Sequence, residues 1–342
     1  MLEGKNLILA TKVYAKENRR TSWMHLLSTL LILAGLLAAT FAAPYILVKA
    51  ALSLVFSLVL VRMFIIYHDY LHHTILHKSR AANLIMTVFG VYILAPVNIW
   101  KRSHDHHHKH NSKLFSASIG SYPIVTRSKY LSMTAGERRA YLAVRHPLTI
   151  ALAYFTMFLY GMCIGSFVSA PRKHIDSLVA FILHIAGSVA VCFFFGWQAW
   201  LFCIFIPFFI SSAIGAYLFY AQHNFPGVTF HNNADWAYEK AALESSSYMV
   251  MSPLMNWFTG NIGYHHIHHL NARIPFYRLP EAMAGITELQ AARTTSLSPR
   301  AIRDCLRLKV WNPELQQMQG LRDAFGTRSY NAPAPVKNVV AE

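Results

Sequence analysis

Three clusters of histidine constrain this chain more than any other feature of its sequence. They are HDYLHH, with His68, His72 and His73, HDHHH, with His104, His107 and His108, and HHIHH, with His265, His268 and His269. In an α-helix, positions i, i+3 and i+4 share a face, so each cluster can point two or three imidazole rings at one place. Imidazole suits iron, zinc, copper and nickel, and neither cysteine nor carboxylate recurs at matching positions. The sequence therefore predicts that the clusters meet around metal, with an almost entirely nitrogen ligand set.

The composition is typical of a membrane protein. Of the 342 residues, 54% are hydrophobic and 13% are charged, whereas a soluble domain has about 45–50% apolar and about 25% charged residues. The net charge is +16, but the basic residues stand in short stretches beside apolar runs, which favours lipid headgroups over nucleic acid as the partner. The four cysteines form no C-x-x-C pair and three lie in apolar runs, so we expect neither a disulfide nor a cysteine zinc site.

Four apolar runs are long enough to cross a bilayer as helices, which takes roughly 20 residues. They are residues 23–43, 46–66, 178–195 and 199–221. The basic segment 1–22 has no cleavage site after it, so we expect a cytoplasmic N-terminus. Arg62, near the end of the second run, is expected to extend toward the headgroups. His184 lies inside the third run, where we expect a neutral ring paired with a neighbouring helix.

Two further apolar segments, 81–100 and 148–170, are predicted not to span. If the first crossed the membrane, the first two histidine clusters would face opposite compartments and would be unable to share a site. Gly90 and Pro96 also weaken a continuous helix there. The basic linker 172–173 belongs on the cytoplasmic side by the positive-inside rule, so the second segment returns to that side. All three clusters then face the cytoplasm.

The chain after the fourth run is soluble in character and completes the predicted fold. His223 follows that run directly, in QHNFPG, and is the ninth candidate ligand. We predict one all-α domain over residues 1–325, a polytopic membrane protein with four transmembrane helices, interfacial or re-entrant segments and a cytoplasmic helical cap that holds a dimetal site. Residues 326–342 are rich in Ala, Pro and Asn and predict a disordered, cytoplasmic tail.

The number of histidines favours two metal ions. A solvated histidine-rich patch explains any one cluster alone, and residues 104–110 by themselves leave that reading open. Three clusters at helical spacing, placed on one side by charge, favour a shared site. Nine imidazoles exceed the four ligands of a structural zinc site, whereas they suit two metals with four or five nitrogens each and open positions for another ligand.

The same segments resemble a known family. HDYLHH, WKRSHDHHHKHN and GNIGYHHIHHLNARIPFYRLP look like the three histidine boxes of the membrane fatty acid desaturases, and the third is most similar to the acyl-lipid omega-6 (delta-12) type. The resemblance covers about residues 60–285. It implies two non-haem ferrous ions at the cytoplasmic face of a bacterial inner membrane or of the endoplasmic reticulum. The implied ligands are His68, His72, His104, His107, His108, His223, His265, His268 and His269, with His73 as a further possibility.

The resemblance also implies a reaction, which is the O2-dependent introduction of a cis double bond into a fatty acyl chain. No amino-acid side chain removes hydrogen from an unactivated methylene, so the metal must supply the oxidant. Asp69 and Asp105 stand beside ligand positions, where a carboxylate can accept the second imidazole N–H, although solvation on a helix surface is an equal alternative. The aromatic residues that flank the clusters are candidates for the wall of an acyl channel or for membrane anchors. They are Tyr67, Tyr70, Trp100, Trp257 and Tyr264.

Electrons must come from a separate protein. The sequence has no G-x-G-x-x-G fingerprint, no cysteine set for an iron–sulfur cluster and no His-Pro-Gly-Gly haem signature. We therefore expect a ferredoxin or cytochrome b5 to dock on the basic cytoplasmic face through complementary charge.

Two other readings stay open at this point. A hydroxylase or a carotenoid ketolase can use the same iron scaffold, and cluster spacing does not separate them from a desaturase. A membrane metal transporter or sensor is the non-enzymatic alternative. It predicts polar residues inside several spans, and the spans here offer little beyond His184.

Overall fold

The N-terminal half of the membrane region is a pair of long helices. The computed structural model describes residues 2–114, 122–232 and 234–326. It begins with α1 (Gly4–Ala10), a 3-10 helix (Thr11–Ala15), α2 (Arg19–Ala42) and α3 (Ile46–Leu71). Asn18 caps α2 by accepting a hydrogen bond from Thr21 N, which satisfies one of the free N–H groups of the first turn. Because α2 and α3 pack together and run in opposite directions, the C-terminal end of α3 lies beside the start of α2.

Residues 80–110, which include the first segment predicted not to span, form a sharply bent pair of helices. Ser79 caps α4 (Arg80–Tyr92), and α5 (Val97–His110) follows at an angle of 90°. Pro96 stands immediately before α5 with an extended ψ of 146°, which a continuing helix cannot accommodate. At 13 residues, α4 alone is shorter than the roughly 20 residues that cross a bilayer.

The region 127–169, which includes most of the second segment predicted not to span, is irregular and made of short helices. It comprises α6 (Arg127–Ser132), α7 (Ala135–Val144), α8 (Pro147–Ala151), a π-helix (Tyr154–Gly165) and α9 (Ser166–Ser169). A capping box formed by Thr134 and Glu137 begins α7. The apolar part, Tyr154–Ser169, is also below spanning length.

A second helical pair completes the membrane region. It consists of α10 (Ile175–Phe195) and a continuous helical stretch made of α11 (Trp197–Trp200), a π-helix (Leu201–Phe205) and α12 (Ile206–His223). Gly196 links the two with a φ of +84°, which glycine adopts without the penalty that a Cβ brings. Among the described residues, four helices are long and apolar enough to span a membrane, or five if the bent α4–α5 pair is one span. The prediction of a helical membrane protein with four spanning helices is confirmed.

The C-terminal region forms the cap above these helices. Its helices are α13 (Tyr238–Glu244), α14 (Pro253–Phe258), α15 (His265–Leu270), a 3-10 helix (Phe276–Arg278), α16 (Leu279–Gly285), a 3-10 helix (Thr287–Ala291), α17 (Pro299–Arg307) and α18 (Leu321–Phe325). Its strands are β1 (Tyr248–Val250), parallel to β2 (Thr294–Ser296), and β3 (Val310–Asn312), antiparallel to β4 (Gln317–Gln319). The sequence analysis did not predict these short strands. The predicted tail lies outside the described residues, apart from Gly326.

The expectation for Arg62 is wrong. Its side chain is 3% exposed and does not extend toward headgroups. It donates to Thr29 Oγ1 at 3.2 Å and to Trp257 O at 2.5 Å, and its guanidinium lies 4.4 Å from the Trp257 ring centre. A distant segment therefore covers the arginine and satisfies its donors, which links α3 to α2 and α14. All four cysteines are free, as predicted.

Candidate metal centre

The first group of nitrogen ligands draws on three helices. Its five members are His68, His72, His104, His108 and His268. The Nε2 atom of His104 lies 2.9 Å from that of His68 and 3.0 Å from that of His72. His108 Nε2 is 3.0 Å from His104 Nε2 and 3.1 Å from His268 Nε2. One nitrogen of each ring falls within a set in which all separations are at most 4.8 Å, so the five rings converge on one point.

A second group of four lies beside the first. Its members are His107, His223, His265 and His269. His107 Nε2 lies 3.0 Å from His223 Nε2 and 3.2 Å from His269 Nε2. His265 Nε2 lies 2.8 Å from His223 Nε2 and 3.1 Å from His269 Nε2. The nine candidate ligands of the sequence are therefore all brought together, in two groups.

The nitrogen separations fit metal ions. A metal bound to imidazole at about 2.0–2.1 Å, with ligands at right angles, requires adjacent nitrogens to be about 3 Å apart. The adjacent separations in both groups are 2.8 to 3.2 Å. So many buried nitrogens facing one another cannot all be satisfied by hydrogen bonds among themselves, since a neutral ring offers one donor and one acceptor. A cation at the centre of each group removes this conflict.

The protonation of the rings also suits ligation. Burial, reinforced by the charges of neighbouring side chains, holds the pKa well below the usual range in His72, His104, His107, His108, His265, His268 and His269. These rings are therefore neutral at physiological pH, which is the form that binds metal.

Contacts behind the rings orient two of them. The Nδ1 of His68 donates to Asp69 Oδ1 at 3.0 Å, and the other oxygen of Asp69 accepts from Phe276 N at 2.7 Å. His223 Nδ1 donates to Ser245 O at 2.9 Å. Such contacts fix the tautomer that leaves Nε2 free for a metal. Tyr238 donates to His269 O at 2.6 Å. The sequence pattern gave no indication of Ser245 or Tyr238.

The other candidates near the clusters have different surroundings. Asp105 accepts a hydrogen bond from Lys101 Nζ at 3.0 Å at the surface. Of the two alternatives for Asp105, the structure therefore favours solvation on the helix surface. His73 is exposed and belongs to neither group. His106 and His110 stack on each other at 4.0 Å. His266 is fully buried and donates to Leu289 O at 3.1 Å, and burial lowers its pKa to about 4.

An apolar cavity of about 640 Å³ opens onto both groups. Its lining includes the rings of His68 and His104 from the first group and of His265 from the second. The remaining wall comes mainly from apolar residues of α3, α5, α12 and the π-helix Tyr154–Gly165. The cavity is within the size range of small-molecule sites, about 300–1,000 Å³, and its wall suits an aliphatic chain.

Only one of the five proposed channel aromatics lies in the lining of this cavity. Trp100 does so, and its ring stacks on His104 at 4.4 Å. Tyr67 is buried beside it and donates to Ala95 O at 2.8 Å. Tyr70 donates to Asn83, Trp257 stacks on Arg62, and Tyr264 lies against Tyr248. These four are placed away from the cavity wall.

His184 forms a structural hydrogen bond to a neighbouring helix, as its isolation in the sequence suggested. Its Nε2 lies 2.6 Å from the hydroxyl of Tyr154. His184 is distant in the sequence from the grouped histidines and belongs to neither group. A hydrogen-bonded pair between neighbouring helices satisfies the polar group within an apolar region.

Fold and site together define an integral membrane protein in which two groups of histidines, able to hold metal ions, face an apolar cavity. A family model for fatty acid desaturases matches residues 42–300. The chain therefore belongs to the fatty acid desaturase family and is an oxidoreductase, which confirms the family that the histidine boxes indicated.

Relatives cover the chain to different extents. A fatty acid desaturase of Bacillus subtilis is 29% identical over 321 residues, which are 93% of this chain and 91% of the relative. The sn-1 oleoyl-lipid 12-desaturase of Synechocystis is 22% identical over 66% of this chain and 64% of its own length. The Delta(12)-fatty-acid desaturase of Arabidopsis thaliana is 25% identical over 67% of this chain and 63% of its own length. The match to the 12-desaturases thus spans less than two thirds of those enzymes.

Proposed function

We propose that this chain introduces a cis double bond at the delta-12 (omega-6) position of an acyl chain carried by a membrane lipid. The observation that carries the proposal is the apolar cavity, which reaches rings of both nitrogen groups. Similarity to two 12-desaturases supports the position of the double bond. The site and both chain termini are assigned to the cytoplasm, because basic segments precede the first span and follow the bent helix pair.

The nine grouped histidines are proposed to hold two iron ions. Iron accepts a shell of imidazoles with open positions, and when bound it supplies the oxidising power, from O2, that removes hydrogen from an unactivated methylene. The chain's own residues bind and orient. His68, His104 and His265 bring both groups to the cavity wall, and Asp69 holds His68 in one tautomer. The buried aromatic and aliphatic wall excludes water from the reacting carbons.

A separate one-electron donor is proposed to reduce the site. A desaturase of Nostoc that is 24% identical to this chain over 246 residues carries ferredoxin in its name. The net charge of +16 favours encounter with an acidic donor protein. Ferredoxin is therefore the first donor to supply.

The test is the fatty-acid profile of a host that expresses the full chain together with a ferredoxin and its reductase. Gas chromatography with mass spectrometry locates any new double bond. We expect a new dienoic acid with the wild type and none with His268→Ala, which removes a member of the first group. His110→Ala is the matched control, because it removes a histidine that lies two residues after the second cluster and belongs to neither group.

Each other outcome contradicts a defined part of the proposal. A double bond at another carbon contradicts the delta-12 position. A hydroxy acid contradicts desaturation in favour of hydroxylation. Wild-type product in His268→Ala membranes, with the variant present at the wild-type level, contradicts the ligand assignment.

A further inference from the structure

One histidine of the first group reaches the protein surface. His72 and His223 are half-buried, whereas the other seven grouped histidines are buried. His223 lines a small cavity of about 60 Å³. His72 lines neither that cavity nor the large one. His72 is the capping residue of α3, so its accessible edge lies where that helix ends.

Charged side chains surround this edge. Lys101 donates to Leu71 O at 3.2 Å, and Leu71 precedes His72 directly in the chain. The loop that carries Arg273 lies beside the segment that follows His73, because Thr74 Oγ1 donates to Ala272 O at 2.7 Å. We call His73, Lys101, Asp105 and Arg273 the His72 rim. The four come from the end of α3, from α5 and from the loop after α15, so the fold and not the local sequence assembles them.

The rim carries unbalanced positive charge. Asp105 is its single carboxylate and is already paired with Lys101 at 3.0 Å. Arg273 is exposed and takes part in none of the ion pairs among the described residues. The loop continues from His77, whose ring lies 4.7 Å from that of His73, to the exposed Lys78 and Arg80. An acidic surface is the complement of such a patch.

We propose that the His72 rim is the docking surface for an acidic one-electron donor protein, and that the electron enters the first nitrogen group through the exposed edge of His72. The inference rests on the proposed function, since it assigns the route by which that site is reduced. An electron arriving at this edge needs no intervening residue, because the other edge of the same ring belongs to the five-nitrogen group. An electron that arrives at the outer face of α5, by contrast, is separated from the buried histidine rings of that helix by the helix itself, which is about 10–12 Å across.

The experiment reverses one rim charge in the full-length, iron-loaded protein. Turnover is measured against the concentration of a reduced plant-type ferredoxin, at low and at high salt. Arg273→Glu should raise the KM for ferredoxin on the order of tenfold and flatten the salt dependence, since screening has less attraction left to weaken. Arg273→Lys should stay near the wild-type KM. Arg300→Glu is the matched control, because Arg300 is 86% exposed on α17, away from the rim elements, and the charge change is the same.

A second measurement bypasses the donor. Single-turnover product yield with dithionite and a small mediator reports on the metal site alone. The proposed function requires that the dithionite-reduced wild type form product. If the wild type forms none, the proposed function is refuted, and the docking surface is not the cause. Equal ferredoxin KM values for Arg273→Glu and Arg300→Glu overturn the docking proposal. The docking proposal is also overturned if Arg273→Glu lowers activity only in vesicles of anionic lipid and if the loss persists when dithionite replaces ferredoxin. That result would mean that the rim binds lipid headgroups and not the donor protein.

Discussion

Replacement of Asp69 by asparagine tests the site with almost no change in volume. Asp69 sits between two donors, since its Oδ1 accepts from His68 Nδ1 and its Oδ2 accepts from Phe276 N. An asparagine has one oxygen and one NH2 group in these places. In either orientation of the amide, an NH2 group faces an N–H donor. If the amide oxygen stays on Phe276 N, the ring of His68 loses the acceptor that holds Nε2 available for metal.

The size of the effect follows from the burial of the carboxylate. Asp69 is 2% exposed, so water does not replace the lost acceptor. A buried donor left without a partner costs about 1–3 kcal/mol. Loss of a carboxylate behind a metal-bound histidine typically lowers metal affinity about 10–100-fold. We therefore expect Asp69→Asn to weaken ferrous ion binding by that factor and to lower activity with it.

The assay is competitive titration of ferrous ion against a chelator of known affinity, on purified protein in detergent, with iron per chain measured afterwards. Asp105→Asn is the internal control. It changes the same chemical group beside another grouped histidine, but this carboxylate is 40% exposed and pairs with Lys101, so its iron affinity should stay near that of the wild type. Equal losses in the two variants, or no loss in Asp69→Asn, would refute the reasoning.

Two further substitutions probe the bend and the cavity. A Cβ on Gly90 would lie 2.5 Å from the hydroxyl of Tyr67, so Gly90→Ala should destabilise the α4–α5 bend by about 1–3 kcal/mol. Thermal unfolding in detergent should show this, and adding Tyr67→Phe should recover part of the loss, whereas additive losses would contradict the contact. Gly215 lines the cavity with open space at its Cβ position. Gly215→Phe should lower kcat/KM for long acyl chains on the order of tenfold at unchanged iron content. Gly187→Phe on α10, also with open space, should not, and equal kinetics in the two variants would place the acyl chain elsewhere.

The histidine clusters were readable from the sequence because their spacing is local. Positions i and i+4 of a helix share a face whatever surrounds it, so the pairing of His68 with His72, of His104 with His108 and of His265 with His269 follows from α-helix geometry alone. The expectation that all the rings of a cluster point at one place is wrong for His107 and His268, which belong to the other group. The division into groups of five and four was not readable. It depends on how α3, α5, α12 and α15 are rotated against one another, and no local pattern records that rotation.

The charged residues show where sequence reasoning ends. Asp69 and Asp105 both stand next to a grouped histidine, and nothing in the sequence separates them. The structure does, because the chain at Phe276, 207 residues away, offers its N–H to Asp69 alone. Arg62 is a similar case. Its position near a helix end predicted contact with headgroups, but Trp257 covers it from 195 residues away.

The two nitrogen groups share their helices. On α5, His104 and His108 belong to the first group and His107 to the second, and on α15, His268 belongs to the first while His265 and His269 belong to the second. An ion bound in one group therefore fixes the rotation of both helices that the other group needs. We therefore expect metal loading to be positively cooperative. A population short of metal then divides into fully loaded and empty molecules, and activity rises with metal supply as a threshold and not in proportion.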